Sequence, residues 1–498
     1  MAQLKRAILN LAMILLLMSV MSGFVSSASR AQSTQQVPLV FIPGILGSKL
    51  CDGDNVVWGG LGSLRRFSQL DTFTDRGQRL KPCGILDRIQ ILGPFWANDG
   101  YSKIVAFLST LGYQETSNLL LYDYDWRQSN FETAERLRRL LDEREPFRSE
   151  KFDIFAHSMG GLVAKVLLQD PNLAKRVRRV IYLGTPFQGS SNALATLAEG
   201  WGPFANLIAG GLDTIRTTAL SFVSIYELMP RYAECCRIGA PENPLSIVKL
   251  PTILDAELWR RHDWLPEEYR TGTRAAFFTA SIQSAERMRD ASGQAHLGVE
   301  EVRIAGTGID TRLHLYIDRR DTSWRRWRFI YTTGDGTVPL WSASGGNLAD
   351  ASPAFSPHAS IFEDRWVVER LRWLFVNPFP PPMAGPGVGV RTIRGEDKAI
   401  ARVIVSASPE LGQPGSRATL SVRVLTLDPI APGELVPSFR LGGGEPLTLE
   451  ETTSSADQVS RALTFSKSFL LPSEIGVHRL DVEFGPTSRA STYIMVEP

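Results

Sequence analysis

Phe152-Asp-Ile-Phe-Ala-His-Ser158-Met-Gly-Gly-Leu-Val-Ala-Lys-Val166 begins as a short apolar run and continues into a helix that opens on two glycines. Between the two the chain turns sharply at Ser158. A strand that turns through a serine into a helix is the pattern of a nucleophile elbow. It lifts the hydroxyl clear of the backbone, so that a histidine reaches it from one side and a carbonyl from the other. The turn tolerates only small side chains two positions away, and Ala156 and Gly160 stand there. Ala156 takes the place of the commoner glycine and costs a little room without breaking the pattern. The order of strand, small residues and helix points to an enzyme.

Upstream, 38–42 is a continuous apolar run, and so a buried strand, ended by Pro43-Gly-Ile-Leu-Gly-Ser48. Such a loop offers backbone N–H groups beside a catalytic centre. One oxyanion donor is expected from it and one from the residue after the serine, which selects the amides of Ile45 and Met159. Each such donor is worth about 3 kcal/mol in the transition state. The pattern then predicts a helix over 101–111, a strand over 119–122 and an amphipathic helix carrying Ala134, Leu137, Leu140 and Leu141. A helix over 159–168 stops at Asp170-Pro171, and strands follow over 177–183 and 302–305. Strand and helix in alternation give an α/β fold with a parallel sheet wrapped by helices. The stretch 187–275 interrupts the alternation and reads as an inserted cap.

The acid and base are expected after the serine, on loops at the carboxyl ends of later strands. Asp335 in Thr-Gly-Asp-Gly-Thr fits the acid, because flanking glycines allow a tight turn; Asp310 and Asp321 are the substitutes. Six histidines limit the search for the base. His157 points away from the elbow and suits packing or support behind the catalytic groups; His262, His296 and His314 precede the acid, and His478 lies in the tail. His358, just before a closing helix at 364–375, is the expected base.

The 498 residues suit two or three domains, and a net charge of +2 makes no electrostatic case for nucleic acid or anionic membranes. Arg319 to Arg328, with Trp324 and Trp327, reads as a solvated hairpin. Lys5 and Arg6, an apolar core over 7–21 and small residues near 26–31 read as a secretory signal peptide over 1–31, with an uncleaved membrane anchor as the alternative, so the chain is expected to be exported. Export makes the four cysteines disulfide candidates. Pairing Cys51 with Cys83 would restrict the unfolded chain by about 3 to 4 kcal/mol; Cys235 and Cys236 have no assigned partner. Asp52-Gly-Asp-Asn55 lacks the later ligands of a calcium loop, so no metal is assigned, and no cofactor is expected. After 376 a Pro/Gly linker (377–396) leads to alternating runs, Leu420-Val422-Val424 and Leu480-Val482-Phe484. Those runs predict an all-β immunoglobulin-like sandwich over 397–498.

Five motifs in order carry a resemblance over 37–376: Pro-Gly-Ile-Leu-Gly-Ser-Lys-Leu (43–50), Tyr-Asp-Trp-Arg (124–127), Ala-His-Ser-Met-Gly-Gly (156–161), Leu-Gly-Thr-Pro-Phe-Gln-Gly-Ser (183–190) and Gly-Asp-Gly-Thr-Val-Pro (334–339). Together they resemble the lecithin:cholesterol acyltransferase family, which includes lysosomal phospholipase A2. The resemblance implies an α/β-hydrolase fold, Ser158 as nucleophile, Asp335 as acid, His358 as base and oxyanion amides at Ile45 and Met159. It also implies a disulfide-bounded lid, matched by 51–83. In that loop Trp58, Leu61, Leu64 and Phe67 recur every third residue, as an apolar flap that meets lipid or as a loop packed on the core. The expected activity is that of an exported serine lipase, phospholipase or acyltransferase working on lipid esters, with transient contact to a lipid surface. An esterase for non-lipid esters, or an inert exported binding protein, is the alternative.

Overall fold

The computed structural model describes residues 36–498 except 61, 87–88, 91–96, 99, 233–234, 241–242, 295, 297, 319–320, 347–350, 377–392, 396–397, 409–410, 431–435, 442–444, 452–459, 474–475, 484–488 and 497–498. The expected signal peptide, Leu61, Phe484 and nearly all of the linker lie outside the described residues.

Six parallel strands form a central sheet in the spatial order Ala351–Ala354, Glu300–Gly306, Val177–Leu183, Phe152–His157, Leu39–Ile42 and Leu119–Leu121. Every residue of Leu39–Ile42 and Phe152–His157 is buried, because both faces of the sheet are covered; the first is an unbroken apolar run, and the second is interrupted by Asp153, paired with Arg178, and ends on His157. Successive side chains alternate between the faces. Val40, Ile42, Ile154 and Val180 share one cluster with Leu137 and Leu162, from the helices Asn130–Glu143 and Gly160–Leu167. Leu39, Phe41, Phe155 and Ile181 share the opposite cluster with Ile104, Leu108, Leu371 and Leu374, from Ser102–Thr110 and Arg365–Val376. Each such side chain contributes about 1.5–3 kcal/mol on burial, so the two clusters dominate the stability of this unit. The register sets Ile42 beside Ala156 and His157 beside Leu183, so three strands end level at one edge.

The stretch between Leu183 and Glu300 carries the short helices Ser191–Glu199, Pro203–Ile208, Leu212–Ala219 and Val223–Glu227, then the strands Cys236–Ala240 and Asn243–Leu250, and then the short helix Ala256–Arg261. A long helix, Gly272–Gly293, follows, and the boundary expected near 275 falls inside it. Its buried face includes Ser281, Ser284 and Ser292 beside Phe278 and Ile282, and these small polar residues flatten the periodic contrast a sequence reading relies on. Ile309–Ile317 and Trp327–Gly334 pair as an antiparallel hairpin beside Cys236–Ala240. The arginine-rich run therefore does sit at a hairpin, with Arg326 exposed. Trp324 and Trp327, however, are buried against Trp259 and Trp264.

Disulfides join Cys51 to Cys83 and Cys235 to Cys236. The Tyr-Asp-Trp-Arg run fastens the 51–83 loop to the sheet. Tyr124 Oη donates to Pro43 O at 2.8 Å and Trp126 Nε1 to Ser48 O at 3.0 Å. Buried Arg127 grips Asp125 with two bonds of 2.8 Å and donates Nη1 to Leu70 O and Gly77 O, both at 2.9 Å. A charge pair so fully enclosed is costly to break by halves, because the remaining ion stays buried.

The C-terminal region holds two five-stranded sheets. One contains Lys398–Ser408, Arg417–Ile430 and Ser460–Leu470; the other contains Ser438–Leu441, Gly476–Glu483 and Arg489–Val496. Leu420, Val422 and Val424 of the first share a buried cluster with Phe439, Leu480 and Val482 of the second. Among the described residues no helix is long and apolar enough to cross a membrane.

Arg127→Leu, which strands the Asp125 carboxylate, is expected to lower the unfolding free energy by about 3–5 kcal/mol. Urea denaturation of the two proteins measures this, and an unchanged midpoint refutes the clamp.

Candidate active site

The sharp turn after Phe152–His157 places Ser158 at φ 54°, in the left-handed region, where a side chain other than glycine is held at a cost of about 1–3 kcal/mol. The Ser158 N–H donates to Leu183 O on the neighbouring strand at 2.8 Å. Gly160 is required by proximity, since a Cβ there would stand 2.3 Å from Ile42 O and 2.6 Å from Pro43 O. The loop after the first strand comes equally near: a Cβ on Gly44 would lie 2.8 Å from Ser158 Cβ. Sequence neighbours on two different strands are thus pressed around one hydroxyl.

Three distant side chains meet at this hydroxyl. His358 Nε2 lies 2.8 Å from Ser158 Oγ, and its Nδ1 lies 2.6 Å from Asp335 Oδ2. Asp335 is buried, and its other oxygen, Oδ1, accepts from Thr337 N at 2.9 Å and Val338 N at 2.6 Å. Its backbone carbonyl accepts from His358 N at 2.9 Å, so the two loops are tied by main chain and side chain together. The substitute acids are elsewhere: Asp310 is exposed on its strand, and Asp321 pairs with Arg326. The amides of Ile45 and Met159 flank the serine, one in the 43–47 loop and one at the start of the helix. Among the described residues neither has a hydrogen-bond acceptor. Two open donors beside a hydroxyl bonded to imidazole can receive the oxygen of an acyl carbonyl under attack.

Tyr101 was not singled out by any motif, yet it joins the parts. Gly44 N donates to Tyr101 Oη at 2.9 Å, which leaves the phenol proton for His157 Nδ1, 2.8 Å away. His157 Nε2 stands 3.2 Å from His358 O and donates to it. The neutral tautomer of His157 satisfies every link, and burial pushes its pKa down to about 3. Burial also pushes the Tyr101 phenol up, which keeps the proton on the donor. His157, expected to pack or to support the catalytic groups, takes the supporting part and ties the loop bearing His358 to the loop bearing Gly44.

Ser158 and His358 open into a cavity of about 760 Å³, lined in large part by Trp58, Phe67, Trp201 and Phe222. The residues expected to form an exposed flap are turned inward: Trp58, Leu64 and Phe67 are buried. Trp58 meets Trp126 edge-on at 5.7 Å and Phe67 meets Trp201 at 4.6 Å, so of the two readings of this loop the packed one describes the structure. Arg312 also lines the cavity, donating to Asn192 Oδ1 at 3.0 Å and Glu199 Oε2 at 2.8 Å. Nothing in the sequence marked that group.

The parallel sheet and the serine turn at its carboxyl edge define an α/β-hydrolase-like fold. Residues 83–269 match the model of the lecithin:cholesterol acyltransferase family. The Arabidopsis thaliana protein lecithin-cholesterol acyltransferase-like 4 is 25% identical over 429 residues, 70% of this chain and 77% of its own length. Phospholipase A(1) LCAT3 of the same plant is 25% identical over 326 residues, 56% of this chain and 70% of that protein. Among solved structures, the mature lipase BlEst2 of Bacillus licheniformis aligns over 69% of this chain and 93% of its own, at 15% identity and a TM-score of 0.33. The Tle4–Tli4 complex aligns over 69% and 98%, at 16% and 0.44. The family model and the two plant relatives support a lecithin:cholesterol acyltransferase-like family with an α/β-hydrolase fold.

Because His157 binds a proton readily only when unfolded, near pH 6.5, and in the folded protein only near pH 3, the unfolded chain holds more protons in between. Stability is therefore full above about pH 6.5 and falls toward pH 3, by up to about 1.4 kcal/mol per pH unit from this group. In urea melts from pH 7 to pH 4, His157→Asn is expected to lose stability less steeply than the wild type. Parallel slopes refute the assignment.

Proposed function

We propose that the protein is an exported serine acyl-ester hydrolase or acyltransferase that takes lipid esters through an acyl-serine intermediate. The observation that carries this reading is the chain of short hydrogen bonds from Asp335 through His358 to Ser158, opening into a mostly apolar cavity. In the mechanism, His358 removes the Ser158 proton as Oγ attacks the ester carbonyl. Asp335 fixes the imidazole tautomer and stabilises its charge. The amides of Ile45 and Met159 receive the oxyanion. His358 then returns the proton to the departing alcohol, leaving the acyl group on Ser158. Water or a second alcohol, deprotonated by the same imidazole, takes the acyl group and frees the serine.

The family contains both outcomes in the names of its relatives, an acyltransferase-like protein and a phospholipase A(1). A cavity walled by Trp58, Phe67, Trp201 and Phe222 suits an acyl chain, so these residues hold substrate in this reading rather than facing a lipid layer. Residues 37–376 form the catalytic unit, with the disulfide-bounded loop as part of the cavity wall. The two C-terminal sheets are read as an immunoglobulin-like accessory domain over 397–498, and the basic and apolar start of the chain as its export signal.

Incubating the protein with mixed phospholipids, triacylglycerol and a sterol, and identifying products by mass, tests the reading. Free fatty acid marks hydrolysis and sterol ester marks transfer. Ser158→Ala is expected to lower turnover by up to about a millionfold. Near-normal turnover in that variant, or no ester cleaved by the wild type, contradicts the proposal.

A further inference from the structure

Residues 200–212, Gly-Trp-Gly-Pro-Phe-Ala-Asn-Leu-Ile-Ala-Gly-Gly-Leu, contain no Asp, Glu, Lys or Arg, although Glu199 and Asp213 bound them. At their centre the helix Pro203–Ile208 buries none of its residues. Phe204 is 62% exposed and Leu207 76%, and three positions apart on a helix they project from one side. The polar member of the helix is turned back into the protein. Asn206 Oδ1 accepts from Trp201 N and its Nδ2 donates to Glu199 O, each at 2.8 Å. Gly202 and Gly211 flank the helix at φ 91° and 103°, and a Cβ on either would meet nothing within 4 Å. Backbone conformation and not space selects glycine there, so the sequence sets the angle at which the helix stands out.

This segment lies at the cavity. Trp201, Gly202 and Pro203 line it, while Phe204 and Leu207 do not. One exposed leucine requires no account. Two large apolar groups on an uncharged stretch beside an apolar cavity do.

We propose that the segment 200–212 docks the protein on a lipid aggregate, with Phe204 and Leu207 inserted among acyl chains and the cavity mouth set against the layer. The inference rests on the lipid-ester reading and names the surface through which that site is supplied. Continuity selects the occupant: an acyl chain leaving the layer passes Trp201 and Pro203 into the cavity without crossing water. Area argues the same way. A stable dimer buries about 800 Å² per partner, far more than two side chains on one short helix provide, whereas a lipid layer accepts single inserted side chains. The absence of charge in the segment makes the contact apolar, and so nearly indifferent to salt.

Sedimentation of the full chain with phosphatidylcholine vesicles tests this beside two activity assays, one on the vesicle lipid and one on a monomeric short-chain ester such as p-nitrophenyl butyrate. Phe204→Ser with Leu207→Ser is expected to weaken vesicle binding about tenfold or more and lower vesicle turnover in parallel. Butyrate hydrolysis stays unchanged, and Phe204→Leu with Leu207→Met binds as the wild type does. Wild-type binding is expected to hold between about 0.05 and 0.5 M salt. Equal binding by wild type and serine variant overturns the proposal. So does sedimentation velocity showing a wild-type dimer that the serine variant lacks, because the surface then belongs to a second copy. Vesicle binding is read without turnover: a wild type inert toward both esters but still bound through these residues upholds docking and removes the serine-ester reading.

Discussion

The close approach of the 43–47 loop to the turn at Ser158 is the constraint on which the site depends. The serine holds a positive φ because the strand Phe152–His157 ends level with Leu39–Ile42, and because Gly160, two residues on, lets the helix start against Ile42 O and Pro43 O. Packing on both faces of the sheet fixes that register. A shift of one residue would exchange every inward side chain between the two clusters, and the stability of both would be lost with it.

Around that contact the structure ties loops to one another more than to the sheet. Tyr101 and His157 join the Gly44 loop to the His358 loop, and the main chain of His358 is bonded to Asp335. Tyr124, Trp126 and Arg127 hold the loop after the first strand and the disulfide-bounded loop beyond it. The positions of hydroxyl, imidazole and carboxylate are therefore set by buried polar groups with satisfied partners, which resist displacement because each unmade bond in a dry interior costs about 1–3 kcal/mol. The cavity wall is correspondingly apolar, and the outermost apolar residues, Phe204 and Leu207, continue its chemistry to the surface.

Much of this was legible in the sequence, for physical reasons that differ by element. Strands buried on both faces read as largely apolar runs, and helices such as Asn130–Glu143 read by spacing because one face is solvated. Ser158, Asp335 and His358 were legible because a tight turn demands glycines and because histidines are few. The long helix Gly272–Gly293 was not, since serines stand on its buried face. Nor was Tyr101, whose part depends on a fold that brings it to Gly44 across 57 residues of chain. The recurrence of Trp58, Leu64 and Phe67 was visible, but periodicity alone does not distinguish a face that meets lipid from one that meets Trp126 and Trp201.

The central claim is that Ser158 is an activated nucleophile with the amides of Ile45 and Met159 waiting for the oxyanion. A crystal structure of the protein inactivated by an alkyl phosphonate ester tests it most directly. The account predicts phosphorus bonded to Ser158 Oγ, the phosphonyl oxygen within hydrogen-bond reach of both amides, and the alkyl chain lying in the cavity lined by Phe67 and Phe222. An adduct on another residue, or a phosphonyl oxygen turned away from those amides, would contradict it.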